Sequence, residues 1–168
     1  MNRALKITIN ERFQVLASKL GAKVVSIKEY GVLCGGSLPI SAGGGYDTKW
    51  DVIIMPSVED AQFMYMPYDI DHNLTLLHEL VHWSGRANRA SRPTIAIGCM
   101  LHGDRDTEEA TAQIGAHMLA EVMGYNVVKS AHNTAEYLLG FPYADLVQAK
   151  IDAQRAVSWI LNEVGGEI

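Results

Sequence analysis

Apolar and polar positions alternate along this chain in two rhythms. Over residues 8–20, Ile9, Phe13, Leu16 and Leu20 fall on one helical stripe, and Gly21 follows as a stop. Lys23 to Ile27 reads as a short strand, with Tyr30 to Leu33 as its expected partner strand. Residues 35–45 are rich in glycine and read as a loop or wide hairpin connection. No Gly-Lys-Ser/Thr follows them, so they are not a phosphate-cradling loop. Trp50 to Met55 is a second strand, stopped by Pro56, and residues 56–70 are irregular. Leu74, Leu76, Leu77, Leu80 and Val81 then form an apolar helical run, with Asp69 or Asp71 as its cap and Gly85 as its end. Residues 86–105 are expected to form a connection long enough to border a site as a lid. A further helix is expected from Asp106 to about Met123, with Ala110, Ile114, Met118 and Val122 on one face. A short helix over 133–140 precedes a long one from Tyr143 to Val164. The apolar side of that last helix is read through Leu146, Ile151, Val157, Ile160, Leu161 and Val164, with Asp145, Lys150, Asp152 and Arg155 on a solvated face. Helices and a few short strands in this order predict an α+β domain, a small mostly antiparallel sheet packed on helices.

Length and composition narrow the class. The chain of 168 residues is expected to form one domain with a proper core. Its 48% hydrophobic and 20% charged residues belong to a globular protein. A net charge of −5 argues against a dedicated nucleic-acid surface, which is normally basic. No apolar run is long enough for a membrane span, and the first residues lack a secretion-signal pattern, so a cytoplasmic location is expected. Two cysteines, Cys34 and Cys99, are expected to be reduced thiols rather than a disulfide framework.

The chemistry lies in the middle helix. His78-Glu-Leu-Val-His82 places two imidazoles one turn apart on one face, where both can grip a single zinc ion, with Glu79 beside the metal to activate water. This pattern arises by chance in roughly one chain in a hundred of such composition. The alternative is a buried helix whose histidines are merely hydrogen-bonded, but a glutamate buried between them without purpose carries a desolvation penalty. A catalytic zinc usually takes three protein ligands and keeps one open position. Glu108 and Glu109, in the first turn of the following helix, are the candidates for the third, although paired glutamates there also suit the helix dipole. Glu109 is favoured because it shares a face with Gln113 and Ala116, whereas Glu108 is expected to point toward solvent; Asp106 is a further possibility. Gln113 is expected to orient the carboxylate of Glu109. His102, His117 and His132 are read as structural or surface histidines.

These residues carry a resemblance. The chain resembles the zincin-like metallopeptidase domain of ArdC-type antirestriction proteins and of phage and plasmid polyvalent proteins. The matching stretches are Phe13 to Lys23, Asp51 to Pro56, Leu76 to Gly85, Glu108 to Ala110, and Ala153 to Leu161, with the histidine helix as the specific part. The resemblance implies a zincin-like fold around that helix, with one zinc held by His78, His82 and a glutamate of the next helix and Glu79 as general base. It also implies a mobile-element protein acting inside a bacterial cell. In zincin-type proteases an edge strand beside the active-site helix holds an extended peptide, and the strand at Trp50 to Met55 is the candidate for that role. Gln113 stands where the family often has an acidic residue. The separate N-terminal single-stranded-DNA-binding domain of ArdC-type proteins is not expected here, so no nucleic-acid role is carried over. The resulting expectation is a zinc metallopeptidase acting on a protein or peptide substrate. Its rival is a non-cleaving zincin scaffold that binds and blocks a host defence protein.

Overall fold

A computed structural model describes residues 11–35, 44–57, 71–92, 95, 102–127 and 134–166. Its elements are α1 (Glu11–Lys19), β1 (Lys23–Ser26), α2 (Ile27–Leu33), β2 (Gly45–Asp47), β3 (Val52–Met55), α3 (His72–Ser84), α4 (His102–Val122) and α5 (Tyr143–Glu163). A short helical segment over 134–138 lies between the last two. Among the described residues, no helix is long and apolar enough to cross a membrane.

The sheet is mixed and runs in the order β1-β3-β2. β1 pairs with β3 in parallel, Val24 against Ile53, and β2 pairs with it antiparallel, Tyr46 against Ile53. The strand at Val52–Met55 is therefore central, not an edge. Its two neighbours occupy the backbone groups on both sides, so it has no free edge to offer an extended peptide, contrary to expectation. Both its faces are covered. Ile53 and Met55 enter the main core with α1, α3, α4 and α5, while Val52 and Ile54 join Val25, Ile27 and Tyr30 in a smaller cluster. Alternate side chains of a strand point to opposite faces, so covering both produces the continuous apolar run seen in the sequence.

The smaller cluster exists because residues 27–33 form α2 rather than the strand expected at Tyr30 to Leu33. Ser26 and Glu29 close a capping box at its start. The Ser26 backbone N–H donates to Glu29 Oε2 at 2.7 Å, and the Glu29 N–H donates to Ser26 Oγ at 3.2 Å. Local hydrogen bonding at a helix start thus overrides the β-leaning composition of the segment. Cys34, just after α2, is half-buried and in no disulfide among the described residues.

α3 is capped by Asp71, whose carboxylate accepts from the N–H groups of Asn73 and Leu74 at 3.0 and 3.3 Å. Tyr125 OH donates to the same carboxylate at 3.0 Å and so ties the end of α4 to the start of α3. Replacing Asp71 by Ala is expected to destabilise the fold by about 1–2 kcal/mol, the loss of a good cap. Urea unfolding should show a lower midpoint at unchanged slope; an unchanged midpoint would show that the cap is dispensable.

Two helical faces differ from the expected ones. On α4 the core side runs through Ala112, Ala116, Leu119 and Ala120, while Val122 is exposed. On α5 it runs through Ala149, Ala153, Ala156, Val157 and Ile160, Ile151 is exposed, and Asp152 is buried. α4 and α5 form the most extensive helix pairing of the described chain. Buried alanines on both helices let their backbones come close, so the large apolar residues that guided the sequence reading partly lie outside this seam. Asp152 is accommodated by hydrogen bonds from Gln148 at 2.9 Å and Arg155 at 3.4 Å. The Gly-rich segment is described only at its ends, and residues 58–70, Cys99 and His132 lie outside the described residues.

Candidate metal centre

The site is built where α4 crosses α3. Gly115 of α4 lies against Val81 of α3 so closely that an added Cβ would sit 2.9 Å from Val81 Cγ2. Val81 lies between the two histidines in sequence, so this close crossing brings the first half of α4 over the imidazole face of α3. His78, His82 and Glu109 meet there, with one donor atom of each within 4.8 Å of the others. His78 Nε2 is 3.0 Å from His82 Nε2 and 3.3 Å from Glu109 Oε2, and His82 Nε2 is 3.8 Å from Glu109 Oε1.

The far side of each ring is engaged. His78 Nδ1 donates to Gln113 Oε1 at 3.2 Å, and His82 Nδ1 donates to Glu108 Oε1 at 3.0 Å. With those protons committed, each ring turns its Nε2 toward the other. Two such nitrogens 3.0 Å apart are stable neighbours only when a cation, a proton on one ring or a metal ion, lies between or beside them. Donors about 2.0–2.1 Å from a tetrahedral zinc are separated by about 3.3 Å, so the observed triangle is of the right size for such an ion. Two imidazoles and one carboxylate with outer hydrogen-bond partners are also a suitable donor set for a divalent transition metal. The residues fit the ion.

Gln113 therefore serves His78 rather than the Glu109 carboxylate it was expected to orient. Its own amide is held in turn, because Nε2 donates to Thr134 Oγ1 at 2.7 Å. The Thr134 hydroxyl donates to His117 Nε2 at 3.3 Å, and His117 Nδ1 donates to the Gln113 carbonyl at 3.0 Å. His117 is thus a structural histidine, as read, and the chain of bonds attaches the 134–138 segment to the site.

Glu108 departs most from expectation. It is fully buried, not turned to solvent. Arg92 donates to it through Nε at 3.1 Å and Nη2 at 2.6 Å, and also reaches Ser84 Oγ and the Val81 carbonyl. Burial opposes the charge of Glu108, but the bonds from His82 and Arg92 outweigh it and hold the carboxyl down at about 2. Burial likewise disfavours a charged His82, yet the bonds to Glu108 and Glu109 and the charge of Glu79 prevail and lift the ring to about 10. Glu109 is held below the usual carboxylate range: burial opposes its charge, and the two histidines overcome that. The cluster consequently favours a positive charge at its centre.

Glu79 follows His78 on α3 and is only 7% exposed. Burial raises its carboxyl above the ordinary value, the two imidazoles counter this, and the nearby Glu109 charge adds to it. A buried carboxylate with a raised pKa is suited to accepting a proton near neutral pH.

Sequence reading missed Arg92, which lies in a stretch without periodicity. Among the described residues of the expected lid, 86–92 are anchored, whereas 102–105 belong to α4 rather than to a connection. Arg89 stacks 3.5 Å from the Trp83 ring centroid and donates to Asp51, which also pairs with Arg86 at 2.8 Å. Gly85 adopts ordinary right-handed geometry, with φ −73°. It is required by crowding rather than by a left-handed turn: an added Cβ would lie 2.8 Å from Arg92 Nη2 and from Ile95 Cγ1.

A histidine helix crossed by a glutamate-bearing helix beside a small mixed sheet defines a zincin-type scaffold. A family model for zincin-like metallopeptidases matches residues 41–141, more than half of the chain, and the chain belongs to that family. Among solved structures, the Mn(II)-bound crystal structure of the antirestriction protein ArdC from the R388 plasmid is similar in fold. The likeness has a TM-score of 0.57 and 18% identity, and it covers 99% of this chain and 57% of that one. The present chain thus spans a little over half the length of that relative. Comparison with curated proteins gives no match.

Proposed function

We propose that this protein is a zinc-dependent peptidase that hydrolyses peptide bonds in protein or peptide substrates. It would be encoded by a phage or plasmid and act in the host cytoplasm. The observation that carries the reading is the convergence of His78, His82 and Glu109 beside the buried Glu79. His78, His82 and Glu109 would hold the ion, with Glu108 and Gln113 keeping both Nε2 atoms turned inward. A zinc ion there supplies Lewis acidity and lowers the pKa of water at the site toward ~7. Glu79 accepts the proton of the attacking water and returns it to the departing amine nitrogen. Family membership and the Mn(II)-bound state of the solved relative support a divalent ion as the occupant.

Purified protein loaded with zinc is expected to cleave casein or a peptide library, to lose that activity on chelation, and to regain it when zinc is restored. Loaded protein that cleaves neither would count against the peptidase. A second reading has its own support, because the solved relative is an antirestriction protein. On that reading the scaffold binds and blocks a host defence protein without cutting it, and partner binding should survive substitution of Glu79.

A further inference from the structure

We infer that Arg92 is a positioning residue of the metal centre: it fixes Glu108 as the acceptor for His82 Nδ1 and thereby sets how tightly the donor triad holds a divalent ion. The inference rests on the reading of His78, His82 and Glu109 as metal donors. Arg92 is 1% exposed, and its guanidinium is engaged on two helices at once. On α4 it grips both oxygens of Glu108; on α3 it meets the Val81 carbonyl at 2.6 Å and Ser84 Oγ at 3.0 Å. Glu108 is thereby fixed relative to the helix that carries His82, and its Oε1 is left 3.0 Å from His82 Nδ1.

The fork geometry is what the task requires. A lysine ammonium is a single point of charge and cannot grip two carboxylate oxygens while also reaching a carbonyl and a hydroxyl. Gly85 supplies the room: an added Cβ would sit 2.8 Å from Nη2 and 3.0 Å from Cζ of the guanidinium. The arginine thus acts one step removed from the ion, by holding the group that orients and polarises a ligating imidazole.

The test measures metal affinity of the metal-free full chain by competition with a chromophoric chelator. Zn²⁺ is the probe, and the visible spectrum of added Co²⁺ serves as a second readout. Arg92→Lys is expected to weaken binding by about 10–100-fold and to alter the Co²⁺ spectrum. Glu108→Gln should weaken it too, and the double variant should bind no more weakly than Glu108→Gln alone, because the arginine acts through the carboxylate. Gly85→Ala retains both charged groups but crowds the guanidinium, so it should weaken binding in the same direction. It carries the test if Arg92→Lys does not fold. Wild-type affinity and spectrum in a folded Arg92→Lys or Gly85→Ala variant, even with lowered urea stability, would reduce the arginine to a brace and overturn the inference. Losses that simply multiply in the double variant would overturn it as well. A wild-type chain that binds neither metal overturns the donor reading itself, a failure distinct from the other two.

Discussion

Glu79→Gln is expected to keep its metal and lose about 100- to 10,000-fold of its peptide-bond cleavage, the range that a positioned general base contributes. The substitution preserves size and hydrogen-bonding shape while removing the ability to take up a proton. Glu79 is not one of the three converging donors, so metal affinity should barely change. Burial holds its carboxyl above the ordinary value, and the neutral amide imposes no further desolvation, so the fold should be at least as stable as the wild type. The measurement is initial cleavage rate at matched metal content, beside a urea titration. A variant that binds metal normally and cleaves at the wild-type rate would remove Glu79 from the mechanism.

His82→Ala is the second large effect. It deletes one of the three donors, and metal affinity should fall by more than about 100-fold, beyond what loss of an outer hydrogen-bond partner produces. Cleavage should fall with it. The metal-free protein should also lose about 1–3 kcal/mol, because buried Glu108 is deprived of the imidazole that donates to it at 3.0 Å. Arg92 remains paired with Glu108, so the variant should still fold. Metal content by elemental analysis and a urea midpoint decide the matter; full metal occupancy in His82→Ala would show that the ion sits elsewhere.

The parts of this fold that were legible in the sequence were those written in local chemistry. Leu74, Leu76, Leu77, Leu80 and Val81 announce α3, and the i, i+4 spacing alone puts His78 and His82 on one face. α2 carried a local signal that the strand reading of Tyr30 to Leu33 passed over, Ser26 and Glu29 at capping-box spacing. Glu108 illustrates what local pattern does not carry. Adjacent helical positions lie about 100° apart, so both Glu108 and Glu109 can face a helix that crosses over them. Which one is buried depends on a guanidinium sixteen positions earlier in a stretch with no rhythm. α5 was read correctly at Val157, Ile160 and Val164 but not at Ile151: large apolar residues drew the stripe there, whereas the buried side also runs through Ala149, Ala153 and Ala156.

The bare flank of Gly115 has a consequence for which cations the site can accept. With no side chain between the α4 backbone and Val81, the two helices are set at a fixed gauge, and the triangle of ligating atoms inherits it. Such a cradle suits ions whose bonds are about 2.0–2.2 Å long. Calcium takes six to eight oxygens at about 2.3–2.6 Å, and a stiff pair of nitrogens with a single carboxylate gives it a poor berth. On the proposed reading, the side chain that Gly115 lacks would bear on ion size alongside the ligating atoms themselves.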